Sequence, residues 1–392
     1  VQQIRIKNGH IQPIWAGHPW VFAQAMQPVE PQPAAGAEVL VVDSEGKPLG
    51  RGLFSPGSAL RVRLFTRDPE QSLDAAFLQA RLTRALELRK SFGLPSAETN
   101  AFRWLFGEGD QLPGLIVDVF GETAVVQFGT VGMAARRELV LQALQAALPL
   151  RTIIEQSSAF AAKAEGFLVK RGVLVGPKEG ANLRFKERGF EYEIPGELAQ
   201  KTGFYLDQRP LRDRVEALAK GRRVLDLFSY VGSIGLAAKR GGADRVLSVD
   251  SSEPALEVLR QHSDRHALPI ETLCGDAHEL VRQMRGKERF DLVICDPPKL
   301  APRRSARVPA EKLMRRLVRD CSELVTPNGL LILSSCSAAL DLFSLTRSLA
   351  LGARDAGRTA TVVERVFQGA DHPVPAAFPE GLYLSSVIAR LD

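Results

Sequence analysis

From residue 190 to the C-terminus, short apolar runs alternate with stretches whose apolar residues recur at helical spacing. That alternation predicts an α/β fold, a doubly wound parallel sheet with helices on both faces. The expected strands are Val224–Phe228, Arg245–Asp250, Glu271–Cys274, Leu292–Cys295 and Gly329–Ser334. Helices are expected between them at Ile234–Arg240, Pro254–His266, Glu279–Arg285 and Glu311–Glu323. Leu292-Val293-Ile294-Cys295 is apolar without a break, the pattern of a strand covered on both faces. Val362–Phe367 and Leu382–Ala389 can close the sheet as an antiparallel edge pair.

The first part of the chain follows a different period. Residues 1–70 read as a β-rich unit, with strands at Glu38–Asp43 and Leu60–Phe65 between turns rich in glycine, proline and serine. Trp20 and Phe22 read there as core aromatics. Arg51, Arg61, Arg63 and Arg67 form either a solvated face or a phosphate-tracking one. Residues 71–189 open with a helix capped by Ser72 and stopped at Gly93. Strands at Gly114–Phe120, Ala124–Phe128, Thr152–Glu155 and Gly172–Val175 then surround a helix near Met133–Ala147, a small α+β unit. Three domains are expected: 1–70, 71–189 and 190–392.

Candidate chemistry sits where the predicted parallel strands end, the place at which open α/β sheets bind ligands. Asp226 precedes the turn Phe228-Ser229-Tyr230-Val231-Gly232, and Asp250-Ser251 and Asp276-Ala277 close the next two strands. Gly232 lets the backbone approach a ligand, while the absence of GxGxxG argues against a dinucleotide. Three strand-end acids beside a glycine turn suit an adenosine with an unmodified ribose, which fits S-adenosylmethionine better than NAD. The competing role for these acids is to cap the following helices, and it suits Asp276 best and Asp226 least. Candidate cofactor contacts are Gln208, Arg209, Asp226, Phe228, Ser229, Tyr230, Gly232, Asp250, Ser251, Asp276, Ala277 and Asp296.

Asp296-Pro297-Pro298-Lys299 puts an acid on a stiff exit from the sheet, and Cys336 follows the next strand. If those strands are neighbours, both groups face one crevice. Cytosine C5 is a poor nucleophile until a thiolate adds at C6, and an acid near N3 supports that addition. The simpler role for Cys336 is a small buried residue. Cys274, Cys295 and Cys321 look inert. Lys201, Pro297, Pro298, Lys299, Arg303 and Arg304 are candidate substrate contacts, and a basic helix through Arg315, Arg316 and Arg319 follows them.

Composition narrows the classes. The apolar fraction of 45% and charged fraction of 24% are those of a globular chain. No apolar run reaches membrane-spanning length and no leader peptide is expected. No CxxC or His-rich pairing points to a metal. A net charge of +6 is compatible with a polyanionic partner.

Taken together, the motifs resemble the bacterial 23S ribosomal RNA cytosine-C5 methyltransferases, which join an N-terminal PUA domain, a middle α+β domain and a class I methyltransferase domain. The resemblance covers essentially the whole chain. It rests on Gly17-His18-Pro19-Trp20-Val21-Phe22, Gly107-Glu108-Gly109-Asp110 with Leu112-Pro113-Gly114-Leu115, and Gln200-Lys201-Thr202-Gly203 with Leu206-Asp207-Gln208-Arg209. It rests also on Phe228-Ser229-Tyr230, Asp296-Pro297-Pro298-Lys299, Ser335-Cys336-Ser337 and Ala370-Asp371-His372-Pro373-Val374. The resemblance implies that Cys336 is the nucleophile, Asp296 holds the base, and Asp250 and Asp276 contact the adenosyl group. It further implies S-adenosylmethionine as cofactor, an N-terminal RNA-binding module, a substrate in 23S RNA or a large-subunit assembly intermediate, a cytoplasmic setting and a chain able to form a homodimer. Ala199, Leu211, Val231 and Leu300 depart from the family pattern, and a related guanine-modifying group shares the FSY turn and the DPP strand without the cysteine. Guanine methylation, or a non-catalytic RNA-binding role on the same scaffold, are the competing expectations.

Overall fold

The computed structural model describes residues 1–177, 182–199, 202–300, 306–337 and 339–392. Packing divides the chain into two compact units along lines other than the three expected segments. The first holds Val1–Phe204 together with Ala370–Gly381, and the second holds Tyr205–Gly369 with Leu382–Asp392.

The first unit opens with a five-stranded sheet ordered Gln2–Arg5, Glu38–Val42, Pro48–Phe54, Leu60–Thr66, Trp20–Phe22. Its core is aliphatic: Ile4, Ile6, Val21, Val39, Val41, Val62 and Leu64 with Phe54. Trp20 and Phe22 do not belong to it, which corrects their reading as core aromatics. On their strand Val21 points inward, so its two neighbours face outward, and Phe22 is 37% exposed. Three of the four arginines named from sequence are engaged: Arg51 pairs with Glu38 at 2.7 Å, Arg63 with Glu165 at 2.9 Å, and Arg67 donates to the carbonyls of Leu49 and His18.

The helix Ala75–Ser91 is capped by Asp74, not Ser72, through a 2.9 Å bond from the Phe77 N–H. Its Phe77, Leu78, Leu82, Ala85 and Leu86 lie on one side, because residues three or four apart share a helix face. They meet Phe102, Trp104, Val117, Val119 and Val126 of a second sheet, ordered Gly172–Val175, Thr152–Glu155, Thr123–Phe128, Leu115–Phe120, Ala101–Phe106. The helix expected near Met133–Ala147 is two, Val131–Ala135 and Arg137–Ala147. Several charges buried in this unit are matched. Arg89 grips Asp110 with two bonds of 2.5 and 2.8 Å and donates to the Asp371 carbonyl at 2.8 Å. Arg103 grips Asp118 at 2.7 and 2.6 Å, and its N–H donates to the Asp371 carboxylate at 3.0 Å.

In the second unit a seven-stranded sheet runs Glu271–Cys274, Arg245–Asp250, Arg223–Leu227, Phe290–Cys295, Val325–Ser335, Ser385–Leu391, Ala360–Phe367. The first five strands are parallel and the last two join antiparallel, as the apolar pattern predicts. The central strands are mostly apolar because both faces are covered, whereas the edge strands Glu271–Cys274 and Ala360–Phe367 are largely exposed. Val224, Val246, Leu292, Ile294, Leu330 and Ile332 pack with Leu211, Val215 and Ile234 on one side. Leu225, Leu247, Val293, Cys295, Leu331 and Leu333 pack with Val281, Met314 and Leu317 on the other. Each residue's parity along its strand thus decides its layer.

Candidate functional site

The parity that sorts the core also sorts the chemistry. Asp226 lies level with Ser248 on one side and Ile294 on the other, in the layer of Val224, Val246 and Ile332. Continuing the same even positions past the strand ends leads to Asp250, Asp296 and Cys336. Strand Phe290–Cys295 pairs in parallel with Val325–Ser335, so Asp296 and Cys336 leave neighbouring strands at the same end of the sheet. The adjacency expected from sequence is therefore present.

Asp226 is buried, and one of its oxygens accepts the Gly235 N–H at 3.1 Å. Burial, reinforced by Asp296 and Asp250, pushes its carboxyl up to about 8 against the pull of that N–H. Its other oxygen, the Ser229 hydroxyl and the Ser248 hydroxyl are buried without a hydrogen-bond partner among the described residues. Native proteins rarely leave such groups unmatched, and a site for a polar ligand accounts for all three.

The turn after Arg223–Leu227 is unusual in its backbone. Phe228 and Tyr230 take positive φ angles of 63° and 50°, conformations costly for side chains of this size. Asp250 helps to hold them, accepting the Tyr230 N–H at 2.8 Å and the Ser252 N–H at 2.9 Å. Each carboxylate oxygen keeps capacity for a further donor. Gly232, at φ 79°, permits the tight entry into helix Ser233–Arg240, since a Cβ there would lie 2.3 Å from Leu259.

Asp296 accepts from the Gln208 side-chain amide at 2.5 Å. Gln208 itself is buried at the start of helix Arg209–Leu218, where Asp207 accepts the Tyr383 hydroxyl at 2.5 Å. Tyr205, three residues earlier, is the functional candidate absent from the residues chosen by sequence reasoning. Burial raises its phenol, and Asp296, Tyr230, Cys336 and Asp207 add to the rise; the ring stands edge-on to Tyr230 with centres 5.8 Å apart. Its only sequence signal was its place in the segment running from Gln200 to Arg209.

The remaining candidates separate. Asp276 is exposed and caps helix Ala277–Met284, accepting the Glu279 N–H at 3.0 Å, the capping role that suited it best. Gly275 beside it donates to the Asp250 carbonyl at 3.0 Å, keeping the two strand ends adjacent. His278 on that helix stands edge-on to Phe228 with ring centres 6.2 Å apart, a second residue missed from sequence. Ser251 is exposed, Ala277 is buried and Arg209 is half-buried. Pro297 is buried, whereas Pro298 and Lys299 are exposed. Lys201, Arg303 and Arg304 lie outside the described residues. On the basic helix, now Arg307–Ser322, Arg307 pairs with Glu311 and Arg315 with Asp355.

The other cysteines differ from Cys336, which is half-buried. Cys295 is held well above the usual thiol range by its contact with Cys321 and by burial, which keeps it protonated. Cys274 is exposed at the end of an edge strand, and its thiol is also raised.

Residues 4–67 match the PUA-like domain family, and residues 177–378 match the S-adenosylmethionine-dependent methyltransferases. The chain is 34% identical over 378 residues, 95% of each chain, to ribosomal RNA large subunit methyltransferase I of Escherichia coli O139:H28. It is similar in fold to SMU.776, solved with SAH, at a TM-score of 0.86, 20% identity and full coverage of both chains. A tRNA m1G37 methyltransferase of M. jannaschii shares the fold at a TM-score of 0.50 and 17% identity, over 71% of this chain and 76% of that one. Likeness of that degree concerns fold alone and does not select a base.

Proposed function

This chain belongs to the S-adenosylmethionine-dependent methyltransferases, in the family of ribosomal RNA large subunit methyltransferase I, and from that premise we propose that it forms 5-methylcytosine in 23S ribosomal RNA. The observation that carries the base assignment is the departure of Cys336 and Asp296 from neighbouring parallel strands at one end of the sheet.

The cofactor is S-adenosylmethionine, which when bound supplies an electrophilic methyl group. Asp250 with Ser251 would hold the ribose, and Asp276, Ala277, Phe228 and His278 would border the adenine. Asp226, Ser229, Tyr230 and Gly232 would line the methionine end together with Gln208 and Arg209. The unmatched oxygens of Asp226 and Ser229 support that placement.

On the base side, the Cys336 thiolate adds to cytosine C6, and the electron pair of the C5–C6 double bond moves toward N3. Asp296 holds N3 and shares the proton it gains there, leaving C5 enamine-like and able to take a methyl group. Loss of the C5 proton to a base then expels the thiolate and restores the aromatic ring. Gln208 fixes the Asp296 carboxylate, and Tyr205 covers the thiol and the acid from water. Pro297, Pro298 and Lys299 form the rim at which RNA enters. Lys201, Arg303 and Arg304 extend that rim in sequence.

Cys336→Ala is expected to bind S-adenosylmethionine as wild type does in calorimetry, while methyl transfer to large-subunit RNA drops by about a thousand-fold or more. Nucleoside mass spectrometry of the wild-type product identifies the base. A methylguanosine product, or full activity of the variant, would overturn the assignment.

A further inference from the structure

Three of the sequence motifs have no place in the methyl-transfer chemistry: Gly17–Phe22, Gly107–Leu115 and Ala370–Val374. In the first unit they border one cavity of about 270 Å³. Much of each motif is framework. Asp110 and Asp371 hold Arg89 and Arg103, a Cβ on Gly109 would meet the Pro373 carbonyl at 2.1 Å, and one on Gly114 would meet Thr130 at 2.4 Å. What the framework presents is different in kind. Trp20 and Phe106 are half-buried along the cavity, and Phe378 packs edge-on to Trp20 with ring centres 4.6 Å apart. The Trp20 indole is locked by a 2.7 Å bond from its N–H to Glu108. Gln127 and Ser158 add an amide and a hydroxyl to the lining.

We propose that this cavity binds a single unstacked nucleobase of the RNA substrate, outside the methyl-transfer site. Its volume falls just below the roughly 300–1,000 Å³ of small-molecule sites, which suits one flat ring system rather than a longer ligand. Fixed aromatic walls with a few amide, hydroxyl and carboxylate groups are the surface on which proteins stack a splayed base and read its edge. An apolar peptide side chain would leave those polar groups unanswered. The PUA-like strand Trp20–Phe22 supplies one wall, so the site joins that sheet to the middle sheet in gripping RNA. The inference rests on RNA being the substrate.

The test uses the full-length chain and a single-stranded RNA octamer of mixed sequence, titrated at several salt concentrations. Two variants are compared: Trp20→Ala, which removes a wall, and Ile116→Trp, which fills the cavity while leaving every polar group in place. Ile116 lines the cavity on a strand that accepts an aromatic residue. Each is expected to bind about ten-fold more weakly. The slope of log affinity against log salt should match wild type, because a stacked base releases no counterions. A wild-type far-UV circular dichroism spectrum and a cooperative thermal unfolding transition report intact folding, and if Trp20→Ala unfolds, Ile116→Trp decides alone. Wild-type affinity in a folded variant, or a loss appearing only as a changed salt slope, overturns the cavity proposal and leaves RNA as substrate standing. Failure of the wild-type protein to bind RNA at any salt concentration overturns both.

Discussion

The carboxylates buried in the first unit and Asp226 in the second are similarly withdrawn from water but face different surroundings. Asp110, Asp118 and Glu155 each meet an arginine through two bonds, and Asp118 also accepts from Thr202. Asp226 meets one N–H on one oxygen and no hydrogen-bond partner among the described residues on the other. A buried charge that is fully matched holds a fold together, whereas a buried acid with spare capacity is arranged for something that arrives later. Acid-rich motifs in this chain are therefore of two kinds, and counting carboxylates does not separate them.

That contrast can be broken most severely at Arg89. Asp110→Ala leaves a fully buried guanidinium facing a truncated partner, and urea unfolding should show a loss of about 3–5 kcal/mol. A loss below about 1 kcal/mol would mean that the pair is not structural. Asp226→Asn should behave in the opposite sense. The folded-state carboxyl is raised to about 8, so its contribution is fully present below the ordinary carboxylate range and is lost as pH rises toward 8. Without cofactor, wild-type Tm should fall relative to Asp226→Asn between about pH 4 and 8, with a constant difference above that. Parallel Tm curves would show that Asp226 is not perturbed in the fold. The smallest effect belongs to Tyr383→Phe, which removes one hydroxyl donor from the Asp207 carboxylate and should cost about 1.5–3 kcal/mol by the same unfolding measurement. A larger cost would place Asp207 with the matched charges of the first unit.

The second unit was the more legible in sequence because its signals are local. An apolar run followed by an acid marks a strand and its carboxyl end, and parity along the run tells which layer a residue joins. Strand Pro48–Phe54 was missed because Gly50 and Gly52 interrupt it. A Cβ on Gly52 would lie 2.2 Å from the Arg63 carbonyl, and the register shifts between Arg51 and Gly52. Trp20 and Phe22 were misread because an aromatic residue on a strand faces the core or a ligand with the same local pattern. Tyr205 and His278 become candidates only once distant residues surround them. The return of Ala370–Gly381 to the first unit was illegible for the same reason, since the Arg103 N–H and the Asp371 carboxylate are 268 residues apart.

That separation also sets a timetable. Ribosomes extend a chain by about 5–20 residues per second, so roughly 15–50 s pass between the synthesis of Arg103 and that of Asp371. During that interval Arg89 and Arg103 lack the acceptors that complete their centre, and the amino-terminal half waits as a partly assembled body. Its last fitting comes from a segment just ahead of Ser385–Leu391, the strand that also joins Val325–Ser335 to Ala360–Phe367. Both halves of the protein are thus finished by the same closing stretch of translation, and a chain terminated before residue 370 would leave neither complete.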